Sequence, residues 1–117
     1  MRIIIIAFLV CILPQAGLAD DVPAEIDYLL ASIGSSDCAF IRNGKRYDAK
    51  DAEAHLRMKY RRGKRYASTS EKFIERLASK SSMSKKPYFM ECGNEQKITS
   101  GQWLTERLSE YRAVSTA

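Results

Sequence analysis

Apolar residues recur every three or four positions along several stretches of the chain and alternate with polar ones along others. Ile26, Leu29, Leu30 and Ile33 fall at i, i+3, i+4 and i+7, which predicts an amphipathic helix over 24–33 that ends at Gly34. The spacing then changes. Cys38–Arg42 and Lys45–Tyr47 flank Asn43-Gly44, a pair suited to the two positive-φ positions of a type I′ turn, so a β-hairpin is expected. Asp48 is placed to cap a second helix in which Ala49, Ala52, Leu56 and Tyr60 share a face, running out near Gly63. After a loop, Ser68 or Thr69 caps a third helix. Glu71 stands three after Ser68 as in a capping box, and Phe73, Ile74, Leu77 and Ala78 form the apolar stripe. Short strands over 87–92 and 96–98 enclose Gly93-Asn94, and Thr99 or Ser100 caps a last helix carrying Trp103, Leu104, Leu108 and Tyr111.

The order is helix, hairpin, helix, twice over. It predicts an α+β fold of two helix-hairpin-helix halves, a two-layer domain with up to four short antiparallel strands. Leu30-Ala-Ser-Ile-Gly-Ser-Ser36 and Leu77-Ala-Ser-Lys-Ser-Ser82 precede the two hairpins, offset by one residue. That match balances an internal duplication against chance recurrence of small residues.

The first residues have a different character. Arg2, the unbroken apolar run Ile3–Leu13, Pro14 and then Gly17-Leu18-Ala19 form the pattern of a cleavable signal, dividing the chain into 1–19 and a small domain over 20–117. The apolar run, as a helix, rises only about 16 Å against a hydrocarbon core of about 30 Å, so no transmembrane segment is expected in the mature form. The implied location is periplasmic or secreted. Cys11 would leave with the signal, and Phe8-Leu9-Val10 lacks the small residue that lipoprotein processing wants before a cysteine. Cys38 and Cys92 then remain in an oxidising compartment, where a disulfide between them is expected. The alternative is a nucleophilic thiol near His55, which needs a reducing setting.

Of 19 Lys and Arg against 14 Asp and Glu, only Arg2 lies in the signal, so the mature part stays moderately basic. Arg57, Lys59, Arg61, Arg62, Lys64 and Arg65 concentrate that charge, with Tyr60 and Tyr66 interleaved. Such a cluster can hold an anionic polymer or surface. Export turns the expected partner away from nucleic acid and toward an anionic envelope component or an acidic protein. The plainer alternative is a helix C-terminus whose dipole favours positive charge, followed by a solvated loop.

His55 is the only histidine, four residues after Asp51 and four before Lys59, so the three share one line on the second helix. A carboxylate-oriented imidazole is the form of a general base, but a histidine hydrogen-bonded at the edge of the apolar face is the commoner arrangement. One histidine without HExxH or CxxC spacing points to no metal site, and nothing spells out a cofactor motif. Ser82-Met-Ser-Lys85 matches S-x-x-K of serine acylases, yet Pro87 blocks the helix this chemistry needs and the partner motifs are absent. The serines there are better suited to satisfying a turn. Phe40, Tyr47, Tyr88, Phe89 and Trp103 fall at core positions.

Glu25-Ile26, Cys38-Ala-Phe-Ile-Arg-Asn-Gly44, Ala54-His-Leu-Arg-Met-Lys-Tyr60, Phe73-Ile74, Ser81-Ser82-Met-Ser84 with Pro87-Tyr88, and Trp103-Leu104 together resemble a family of small exported bacterial proteins classed as domain-of-unknown-function family 5329. The resemblance spans nearly all of 20–117 and supports export and the cysteine pair, but implies no activity. The sequence departs from the family pattern at Lys85, where glycine is expected, and at Arg46, where an aromatic is expected. The expected function is a non-enzymatic binding module. A small hydrolase using His55, or a structural or inhibitory interaction domain, is the alternative.

Overall fold

A computed structural model describes residues 18–115. The expected signal segment, with Cys11, lies outside the described residues apart from its last positions. In chain order the elements are α1 (Leu18–Ser35), β1 (Cys38–Arg42), β2 (Lys45–Tyr47), α2 (Ala49–Gly63), a 3₁₀ turn (Lys64–Tyr66), α3, β3 (Phe89–Cys92), β4 (Ile98–Thr99) and α4 (Ser100–Ser115). Within α3 the chain is α-helical over Ser70–Phe73 and widens to a π-helix over Ile74–Ala78. The expected α+β order is the one observed.

The strands form one antiparallel sheet in the order β2-β1-β3-β4, so the first strand of each hairpin lies inside and the second at an edge. Register aligns Tyr47, Phe40, Met90 and Ile98 in a row across the sheet. Side chains alternate across a strand, which puts Cys38 and Phe40 on the same face, and both are buried. Against this face pack Ile26, Leu29, Leu30 and Ile33 of α1, Leu56 of α2, Phe73 of α3 and Leu104 of α4, each almost fully buried. Cys38 and Cys92 sit directly opposite each other in the β1–β3 ladder and are joined by a disulfide.

Local chemistry sets the boundaries. Asp48 caps α2 by accepting from the Asp51 backbone N–H at 2.8 Å, and Asn43 and Gly44 both take positive φ, as the hairpin turn requires. Other expectations needed correction. The first helix begins at Leu18, not 24, and carries the exposed Pro23, whose missing N–H removes a single bond near the start of the helix. Gly34 lies within that helix, not beyond it. A Cβ there would meet the Glu53 carboxyl of α2 and stand 3.2 Å from the Glu53 Cβ, so glycine lets α2 approach here with the Glu53 side chain lying across it. Thr69 is the cap of α3, accepting from Lys72 N–H at 3.0 Å, and Glu71 takes no part in a capping box with Ser68. The π-helix is secured by Ser79, whose hydroxyl donates to the Ile74 carbonyl at 2.6 Å.

Glu71 turns instead to a buried ionic cluster. Glu25 of α1, 3% exposed, accepts from the Ser70 hydroxyl at 2.7 Å and from Arg112 of α4 at 2.9 and 3.0 Å. Arg112 also donates to Glu71 at 2.7 and 3.2 Å, so one guanidinium ties three helices together. These bonds hold the Glu25 and Glu71 carboxyls below their ordinary pKa, with Arg112 the largest cause for each.

Reducing the Cys38–Cys92 bond, which spans 54 residues, should lower unfolding free energy in urea by about 4 kcal/mol. Arg112→Met leaves Glu25 buried without its cation and should destabilise by about 3 kcal/mol, the lower end of the range because Arg112 is partly exposed. Because both carboxyls have depressed pKa values in the folded state, their contribution is full above the unfolded value of about 4.5 and is lost as pH falls below it. Stability profiles of wild type and Arg112→Met should therefore converge on acidification.

Candidate functional site

The basic run does not stay together. After Gly63 the chain tightens into the 3₁₀ turn, so Lys64 and Arg65 leave the helical line set by the residues before them. Arg57 donates to Glu53 on its own helix at 2.8 Å and to Asp27 of α1 at 2.9 Å, and these bonds raise its pKa. It serves packing. Lys64 lies 5.5 Å from the centroid of the Tyr60 ring, and Arg65 lies 4.8 Å from that of Tyr66. Arg61 is exposed.

Lys59 and Arg62 go elsewhere. With Arg76 and Lys80 from α3 and the residues just after it, they border a groove of about 630 Å³ between the C-terminal half of α2 and the end of α3. Met58, Leu77 and Tyr66 supply apolar lining, and Glu75 is the acidic residue among the lining groups. Gly63 allows this approach, since a Cβ there would stand 3.0 Å from Leu77. None of the four cations joins an ion pair among the described residues.

At its inner end the groove meets the sheet. Lys59 donates to the buried Tyr88 hydroxyl at 3.0 Å and to the Lys80 carbonyl at 3.2 Å. Burial, helped by the charge of Arg42, lowers its pKa from 10.5 to about 8. One turn back along α2, His55 has its Nε2 3.4 Å from the Arg42 guanidinium. Arginine can only donate, so Nε2 is the lone-pair nitrogen. Burial first, then the charges of Arg42 and Lys59, lowers the His55 pKa and keeps the ring neutral at neutral pH. Asp51 lies on the same line of α2, but the hydrogen bond of His55 runs to Arg42. An imidazole whose lone pair faces a guanidinium differs from the carboxylate-oriented form of a general base.

Sequence reasoning missed Arg42, Arg76 and Lys80. Helical spacing does link His55, Lys59 and Arg62 at i, i+4 and i+7, whereas the other three reach the site through tertiary packing alone. Ser82 is exposed in a loop where Ser84 N–H donates to the Ser81 hydroxyl and Lys85 N–H to the Ser81 carbonyl. No group of three His, Cys, Asp or Glu side chains converges as a metal site among the described residues.

Residues 20–112 match the family of unknown function DUF5329. The chain belongs to this family. Over 85 residues it is 32% identical to the uncharacterized protein YfeK of Salmonella typhimurium, a match covering 72% of this chain and 71% of that one. No solved structure matches it. In this DUF5329 chain the departure at Lys85 has a visible meaning, because the residue sits at φ 64°, in the left-handed region where glycine is favoured. The same loop touches the first hairpin, with the Ser84 hydroxyl donating to Asn43 Oδ1 at 2.6 Å.

Because the folded pKa of Lys59 is depressed, the unfolded chain holds a proton between pH 8 and 10.5 that the folded chain has released. Stability from this group should therefore rise with pH across that window. Urea denaturation at about pH 8 and about pH 9.5 should show the rise in wild type and its absence in Lys59→Met. Both points lie below pH 10.0, the ordinary value above which the raised Tyr88 pKa begins to act in the opposite sense.

Proposed function

We propose that the protein is an exported, non-enzymatic binding module that holds an anionic envelope component in the groove between α2 and α3. One observation carries the reading: Lys59, Arg62, Arg76 and Lys80 line an apolar-walled groove and join no ion pair among the described residues. Like charges gathered at a concave surface raise the local potential, and an anion relieves their repulsion. Apolar lining suits a ligand that carries an acyl or ring portion beside its charge. The positive loop Lys80–Lys86 extends the charged rim, and Met83 at its tip is 93% exposed.

Export is supported by the signal pattern over 1–19 and by the disulfide, which persists in oxidising compartments. The proposed site differs from the continuous run Arg57–Arg65, because Arg57 is committed to carboxylates on α1 and α2.

Co-sedimentation with phosphatidylglycerol vesicles and with lipopolysaccharide, using phosphatidylcholine vesicles as the neutral control, tests this directly. Binding should weaken as salt shortens the screening length from about 10 Å at 0.1 M to about 3 Å at 1 M. Reversing Arg62 and Lys80 to glutamate should reduce retention by roughly tenfold or more. Salt-independent retention, or full retention by the folded double variant, would refute the reading.

A further inference from the structure

Beneath the first hairpin, where β1 and β2 meet the N-terminal half of α2, lies a second and more enclosed cavity of about 190 Å³. Phe40, Ala52 and the ring of Tyr47 give it apolar walls, while Arg42, His55 and Asp51 contribute polar groups. A cavity of about 150 Å³ suffices to hold benzene, so there is room for one ring or a short branched chain.

The state of Arg42 is the informative feature. Arg42 is a partly exposed residue whose guanidinium donates to the Tyr47 hydroxyl at 3.1 Å and faces His55 Nε2 at 3.4 Å. Neither partner is a carboxylate. Of the five N–H donors on a guanidinium these contacts use two, and Arg42 joins no ion pair among the described residues. Two further cations stand near. Lys45 lies 5.4 Å from the Tyr47 ring centroid, and Lys59 is near enough for its charge to act on His55 and for that of Arg42 to act on it. The acid among the lining residues is Asp51, which is exposed and unpaired with Arg42. Local charge is therefore net positive around a pocket with apolar walls. The Tyr47 hydroxyl accepts from Arg42 and so keeps its own proton free to donate.

We propose that this cavity binds a small carboxylate with an apolar body about the size of one ring, the carboxylate taken by Arg42 and Tyr47 and the body seated against Phe40 and Ala52. The site is separate from the groove, whose defining cations Arg62, Arg76 and Lys80 do not line it. A carboxylate matches the fork of a guanidinium, and a charge-assisted bond formed away from bulk water is stronger than one at an open surface. Asp51 at the cavity wall opposes any ligand of higher negative charge.

Benzoate, benzyl alcohol and benzylamine share one ring and differ in charge, and they serve as probes of the full-length protein with its disulfide intact. Followed by NMR, benzoate should saturate with shifts at Arg42, Tyr47 and His55 and should raise the His55 pKa, because a bound carboxylate favours imidazolium. Benzyl alcohol should bind at least about tenfold more weakly and benzylamine more weakly still. Arg42→Gln should weaken benzoate by about tenfold, and Asp51→Asn should tighten it by about twofold. If Arg42→Gln does not fold, Tyr47→Phe decides, since it keeps the wall and should weaken benzoate but not benzyl alcohol. The proposal is overturned if benzoate does not saturate at these residues, if either other probe binds as tightly, or if folded Arg42→Gln or Tyr47→Phe retains full benzoate affinity.

Discussion

The Cys38–Cys92 bond closes one end of the central β1–β3 pair, and both halves of the molecule are organised around that seam. Each hairpin contributes one strand to it and hangs its second strand on the outside. At the opposite end of the same pair, β1 finishes at Arg42 and β3 begins just after Tyr88. The covalent clamp and the polar site therefore occupy the two ends of one short ladder. With one end joined, a shift of register would have to break the crosslink, so the relative positions of Arg42 and Tyr88 follow from a bond at the other end of the strands. Lys59 then reads that position by hydrogen bonding to Tyr88, which links α2 to the seam.

Arg42, His55 and Lys59 form an arrangement whose charges oppose one another. Three basic groups converge, and the field of the others depresses the pKa of His55 and Lys59 further than burial alone would. The contrast is with Arg112, whose charge is met by two carboxylates, and with Arg57, met by two more. The fold thus pairs its structural cations with acids and leaves a set of others outside any ion pair among the described residues. Unrelieved like charge at a concavity is the pattern expected where a ligand, and not the protein, completes the electrostatics.

Much of this architecture was legible because periodicity and turn chemistry are local. The i, i+3, i+4 spacing of Ile26 to Ile33 and the positive-φ pair Asn43-Gly44 each carry their meaning within a few residues. What stayed hidden depends on neighbours distant in the chain. Gly34 looked like a helix terminator, but its reason is the Glu53 side chain of another helix. Glu71 looked like half of a capping box, but Arg112 claims it. The basic run looked like one surface, and the 3₁₀ turn after Gly63 together with Asp27 on α1 divides it. Arg76 and Lys80 carried no signal at all, since their relation to Lys59 exists only once α3 packs beside α2.

The ionic cluster at Glu25 also says something about the order in which the molecule can be completed. Glu25 and Arg112 are 87 residues apart, so the bond joins nearly the two ends of the described chain. A polypeptide made from its N-terminus exposes Glu25 early and waits for almost all the rest before the matching guanidinium emerges. Until then α1 carries a carboxylate that resists being buried, and its apolar face cannot be sealed without stranding that charge. Long-range closure of this kind slows folding and ties it to the arrival of the last helix.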